Sequence, residues 1–195
     1  MAKLSNIITD RTSPSLRLII PTSIAATGGS GSISATGAVS FTSASAISLN
    51  DVFSSTYDNY RIVLNISSQN TAGNAVTMRL RVSGSDATTN YFTYSYHTRT
   101  SLGAIGADNG NPGSVFFVGY ANPTYPTASV TDIYSPFETR KTVGTMQFMG
   151  GDSTTFFGSQ GGFVHDTSAS YTGFTILAAS GGTITGSVSI YGYKK

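Results

Sequence analysis

The 195-residue sequence contains no cysteine and no tryptophan, and only 10% of its residues are charged, against roughly 25% in an ordinary globular domain. Without thiols there is no disulfide framework, no thiolate metal site and no cysteine nucleophile. Histidine is nearly absent as well: His97 and His165 are the two imidazoles, and their separation is not a metal-ligand spacing. A formal charge of +2 is too small an excess for a nucleic-acid footprint. No apolar run approaches the roughly 18 residues of a membrane-spanning helix, so no membrane insertion is expected. Met1 to Arg11 holds too few apolar residues before Asp10 and Arg11 to form the apolar core of a secretory signal. The sequence therefore predicts a chain that folds where it is made, without oxidation.

Small hydroxyl residues fill the space that charge leaves. There are 29 Ser and 27 Thr, with 22 Gly, 11 Tyr and 11 Phe. A hydrophobic content of 39% argues against a disordered chain. The length suits one domain with a sizeable core, in which about 70% of the unfolded surface can be buried.

This composition is not spread evenly. Between Leu18 and Asn50 there is no charged residue, and residues 22–48 are nearly all Gly, Ala, Ser and Thr, with isolated Ile33, Val39 and Phe41. The segment admits two readings: a flexible Gly/Ser linker, or an extended arm docked on a partner surface. The strand-like spacing of Ile33, Val39 and Phe41, and of Leu16, Leu18 and Ile20, favours an arm over residues 1–46, anchored by Ile33, Val39 and Phe41.

From Ile47 onward the pattern is short alternating segments. Tyr60, Ile62, Leu64 and Ile66 share one face and Arg61 and Asn65 the other; Val76, Met78, Leu80 and Val82 oppose Thr77, Arg79 and Arg81. This period of two marks half-buried strands, with Asn70–Asn74 as the turn between them. Further strands are expected near 90–99, 114–120, 128–134, 142–149, 154–164, 173–179 and 183–191. A helical turn is expected only around Ser48–Tyr57. Nine or ten strands separated by Gly, Asn and Pro predict an all-β domain over 47–195, an antiparallel β-sandwich of jelly-roll type.

Three segments carry a family resemblance. In Ser48–Ser67, Asn50 and Phe53 precede the strand entry Thr56-Tyr57-Asp58-Asn59-Tyr60. In Met78–Tyr96, a strand leads to the turn Gly84-Ser85-Asp86 and the pair Asn90-Tyr91. In Tyr171–Lys195, the last strand reads Gly186-Ser187-Val188-Ser189-Ile190-Tyr191-Gly192. Taken in this order they resemble small virion proteins of tailed bacteriophages, of the minor-tail or tail-fibre type, which are related to capsid decoration modules. The resemblance spans about residues 47–195. It implies a structural protein on the virion surface, contacting other tail or capsid proteins, assembled as a homo-oligomer (a trimer) and made in the host cytoplasm.

Chemistry-bearing motifs are few. Gly151-Asp152-Ser153 matches the opening of a lipase-like motif, but position 162, where such a motif needs Asp ahead of His165, is Gly; a turn is expected there. No Gly-x-Ser-x-Gly elbow, His-Glu-x-x-His pair or Walker loop occurs. Gly106–Asn111 offers Asp and Asn oxygens but not the acidic pattern of a calcium loop, and is read as an exposed loop. Neither enzymatic activity nor a cofactor is expected.

Binding candidates remain. Tyr91, Tyr120, Asn122 and Tyr125 could stack on and hydrogen-bond a host-surface glycan, or serve as core or interface residues, with Phe92, Tyr94 and Tyr96 alternating as a core face. Arg79 and Arg81 share an outward face, either solvated or paired with an acidic neighbour across a sheet or subunit contact. The expected function is a non-enzymatic virion component, a tail-fibre or minor-tail protein touching the host through loops 101–113 and 120–127. The alternatives are capsid decoration and, less favoured, a cellular carbohydrate-binding module.

Overall fold

Strands with side chains alternating between apolar and hydroxyl can bury one face and leave the other wet without charge, and such strands make up nearly the whole molecule. The computed structural model describes residues 15–71, 74–100, 105–151 and 155–195. In chain order the strands are β1 (Leu16–Ile19), β2 (Ser23–Thr27), β3 (Ser30–Ile33), β4 (Val39–Ala44), β5 (Ala46–Asn50), β6 (Asn59–Gln69), β7 (Asn74–Val82) and β8 (Ser85–Asp86). They continue with β9 (Tyr91–Arg99), β10 (Ile105–Gly113), β11 (Phe116–Ala121), β12 (Thr127–Tyr134), β13 (Arg140–Gly151), β14 (Phe156–Ala169), β15 (Gly173–Ala178) and β16 (Ile184–Tyr193). Among the described residues, a single 3-10 turn at Ala179–Gly181 is the only helical element.

The order of strands identifies the architecture. One sheet contains the run β4-β16-β6-β12 and the other the run β5-β15-β7-β11. The linked pairs β4/β5, β6/β7, β11/β12 and β15/β16 each place one strand in either sheet. That alternation is the jelly roll, two four-stranded sheets wound together. The chain elaborates it at one side. β13, β14, β9 and β10 extend the first sheet beyond β12 to ten strands, and β1 and β3 lengthen its opposite side. β2 and β8 complete the six-stranded second sheet.

Core side chains come from the inward positions of both sheets. Tyr60, Ile62, Leu64 and Ile66 of β6 face Val76, Met78 and Leu80 of β7, with Val188 and Ile190 of β16 and Phe174 and Ile176 of β15; all are buried. Phe53 sits edge-on to Tyr60, with ring centroids 4.7 Å apart. Where the first sheet extends, β11 covers it. Phe116 stacks on Phe163 of β14 at 3.8 Å, and a second small cluster gathers Met146, Phe148 and Phe157 under Phe117 and Tyr120.

Three expectations need correction. Residue 47 is not a boundary between arm and body. The segment before it is extended, but β4 pairs with β16 inside the sandwich, and Val39, Phe41 and Ala44 are buried in its own core. Val39 and Phe41 therefore cannot anchor the chain elsewhere; Ile33, in β3, is half-buried against that core. The helical turn expected at Ser48–Tyr57 is strand β5, which pairs with β2 and β15, followed by an irregular link. Gly106–Asn111 is not a loop but part of β10, hydrogen-bonded along β9.

Candidate functional site

The outward face of the ten-stranded sheet is the candidate site, and the pairing registers define it. One row across the sheet runs Val63, Val130, Gln147, Gln160 and Tyr96; the next runs Ala128, Met149, Gly158, Thr98 and Ile105. On the other side of the first row lie Thr145, Gly162 and Tyr94, and beyond them Val143, Val164 and Phe92. Since alternate residues of a strand point the same way, these rows share one face. It is strongly apolar and open: Tyr94 is 58% exposed, Tyr96 60%, Met149 64% and Ile105 73%. Val63, Val143 and Val164 are exposed on it too.

The face is relieved rather than flat. Gly158 leaves β14 without a side chain between Met149 of β13 and Thr98 of β9. An open groove of about 580 Å³ results, lined among others by Tyr96, Ile105, Gln147, Met149 and Gln160. A Cβ at position 158 would meet the side chains of Met149 and Thr98 at no less than 3.6 Å, so crowding does not impose glycine there.

Charge on this face is internally neutralised. Asp132 accepts from Arg61 Nε at 2.9 Å and Nη2 at 2.7 Å, and from the Tyr193 hydroxyl at 2.7 Å. Burial pushes the Asp132 carboxyl up, but the two Arg61 bonds and the Tyr193 bond outweigh it and hold the group below its ordinary range. Tyr193 is pushed up to about 12, by burial first and by its bond to Asp132 second. At the rim Lys141 pairs with Asp166.

The residues singled out in the sequence are scattered by the fold. Tyr91 is fully buried; its hydroxyl accepts from the Leu80 amide at 2.8 Å and donates to the Ala87 carbonyl at 3.1 Å. Asn122 is also buried. Its amide donates to the Gly151 carbonyl, while its oxygen accepts from the backbone of Thr124 and Tyr125, so it pins the turn before β12. Tyr120 is half-buried and stacks on Phe157 at 5.1 Å, whereas Tyr125 packs edge-on to Phe156 at 4.7 Å. These four do not converge on a glycan platform. The parity of β9 is the reverse of that expected: Ser95 and His97 point inward and Tyr94 and Tyr96 outward.

Arg79 and Arg81 do find an acidic neighbour across a strand pair, within the chain. Ser83 and Gly84, at φ 51° and 78°, form the two-residue turn that sets β8 against β7; both central residues lie at the positive φ of a type I′ hairpin. Asp86 then pairs with Arg81, and with Arg79 at 3.8 Å. Arg81 also donates to Ser48 at 3.0 Å and Thr175 at 2.9 Å, which spreads the charge over the outside of the second sheet.

Both histidines are buried. The His165 Nε2–H donates to the Thr89 carbonyl at 3.0 Å, which leaves Nδ1 to accept from the Tyr171 hydroxyl at 2.9 Å. Burial is the main cause that lowers its pKa below the ordinary value. The unfolded chain therefore binds a proton at a higher pH than the folded one. Stability is complete above about pH 6.5 and declines as pH falls below it, by at most about 1.4 kcal/mol per pH unit for this group. Urea titrations between pH 7 and pH 5 are expected to show that slope in the wild type and a flatter one in His165→Gln. Equal slopes would remove His165 from the account.

Among the described residues no group of three or more His, Asp or Glu gathers as a metal site. Asp152 and Ser153 of the lipase-like motif lie outside the described residues, as do residues 101–104 and the side chains of 108–111. No protein-family model and no curated protein matches the chain. Among solved structures it is similar to a protein of unknown function from Shewanella oneidensis MR-1, at 11% identity over 91% of this chain and 81% of that one. The TM-score is 0.23, and a likeness at that level carries no argument.

Proposed function

We propose that the protein is a non-enzymatic structural component of a tailed-phage virion, of the tail-fibre or minor-tail type, carried as a homo-oligomer on the particle surface. The observation behind this reading is the open apolar face of an otherwise completed jelly roll. Monomers rarely leave contiguous apolar patches beyond a few hundred Å² exposed, so such a face suits a protein that works assembled. The three segments that resemble phage proteins lie side by side, with β16 paired to β6 and β15 to β7 and β5. The resemblance thus rests on the scaffold of the sandwich and not on a site.

Attachment to the particle runs through faces of the body, since β4 belongs to the core. Host contact falls to the turn between β11 and β12, where Pro123, Thr124 and Pro126 are exposed over a base fixed by Asn122. An antibody fragment raised against the purified protein, imaged on intact particles, tests the reading. Label on the tail is expected. Label on the head would make the protein a decoration module, and unlabelled particles would remove it from the virion.

A further inference from the structure

We infer that the open face of the ten-stranded sheet is covered by the same face of a second copy of this chain. The inference rests on the reading of that face as an assembly surface, and it names the occupant. Three features favour a copy of the chain over a different partner. The first is charge. The face carries Arg61 with Asp132, and Lys141 with Asp166 at its rim, each pair closed within the chain. Among the described residues such a surface offers no unmatched charge for an oppositely charged partner to complement, and it does not repel its own image. The second is relief. Tyr96, Ile105 and Met149 stand beside the trough at Gly158, so knobs and holes lie on one surface. That is the requirement for a self-complementary contact, in which residue i meets j and j meets i.

The third feature is extent. From β6 to β10 the face spans six strands, about 24 Å at the usual strand spacing, and the four rows from Met149 to Val143 add about 20 Å along the strands. The patch is roughly 500 Å² in plan and larger once side-chain relief is counted, which approaches the roughly 800 Å² per partner of a standard stable interface. Tyr and Met are also the residue types enriched at interface cores.

Light scattering on the purified full chain at tens of micromolar tests this. An oligomer is expected in the wild type, with association weakened by about 30-fold or more in Tyr96→Asp and in Met149→Lys, as for the loss of central contacts. Both side chains are largely exposed in the single chain, so a cooperative melt in the dissociated variants, at the temperature of the wild type diluted to monomer, keeps a folding defect apart from a contact defect. Because the chain has no cysteine, Thr98→Cys supplies a unique thiol on the same face. Its reaction with a thiol reagent is expected to be slow in the otherwise wild-type chain and fast when combined with Tyr96→Asp. A monomeric wild type, or an oligomer indifferent to both substitutions with an equally reactive thiol, would overturn the inference. A wild-type monomer that still decorates particles would sink the self-contact alone and leave the virion reading standing. A monomer that binds cell-wall glycan through Tyr96 would put a sugar in the groove instead.

Discussion

A chain beginning at residue 47 is expected not to fold. Such a truncation removes β4, whose Val39 and Phe41 are respectively 0% and 2% exposed in the sandwich core. Burying two such side chains is worth about 3–6 kcal/mol, against a total stability of about 5–15 kcal/mol for a typical domain. The loss does not stop there, because the β16 groups that bond β4 at Ile184–Val188 are left without their strand partner. Circular dichroism and thermal melting of the 47–195 chain are expected to show no cooperative transition. The milder change Phe41→Ala is expected to cost about 3–5 kcal/mol in urea unfolding. A truncated chain with a sharp melt would instead separate β4 from the core. Deleting residues 1–46 is therefore not a test of particle attachment: failure to bind would report an unfolded body.

Phe116→Ala is the second change with a large expected effect. Phe116 is fully buried where β11 crosses over the extension of the first sheet. Its ring lies parallel to Phe163 at 3.8 Å and 13°, and 5.7 Å from Tyr91. It is thus the joint between the jelly roll and the added strands β9 and β14. Truncation is expected to cost about 3–5 kcal/mol and to lower the melting temperature by about 10 °C for a chain of this size. Phe156, 47% exposed, supplies the contrast: Phe156→Ala is expected to move stability by less than about 1 kcal/mol. Equal losses from the two substitutions would mean that the extension is not held through β11.

The sequence carries the fold more plainly than it carries the site. Alternation alone identifies β6 and β7, where large apolar residues occupy every second position and charged or hydroxyl residues the rest. β4 escapes because only Val39, Phe41 and Ala44 mark its inward side among Ser and Thr, and Ser40 and Thr42 look no different from a linker. β9 misleads for a physical reason. Its inward face lies over crowded ground, where a Cβ at Gly161 would come within 2.8 Å of Ser95 and one at Gly106 within 2.5 Å of His97. Opposite Gly161 the small Ser95 lies inside, while Tyr94 and Tyr96 turn outward. Alternation reveals that a strand has two faces, but not which one is covered when both carry aromatic rings, here Tyr91 inward and Tyr94 and Tyr96 outward. The pairing of Arg81 with Asp86 was within reach of the sequence, since Ser83 and Gly84 spell a tight hairpin that returns the carboxylate opposite the guanidinium.

Strand β10 carries a consequence for how far such a protein can grow. A sheet of ten strands offers open backbone groups at its margins, and these are templates for runaway strand addition. Here the outermost strands of the two sheets are short at the other margins, four residues in β1 and β3, five in β2 and six in β11. β10 is longer, but its register with β9 breaks between Gly110 and Gly113, and Pro112 within that break has no N–H to donate. Ribbon-like elongation from chain to chain is thus interrupted at the Gly110–Gly113 end of β10. Copies that meet through the apolar face of the sheet, as inferred above, would do so through side chains and not by fusing their backbones.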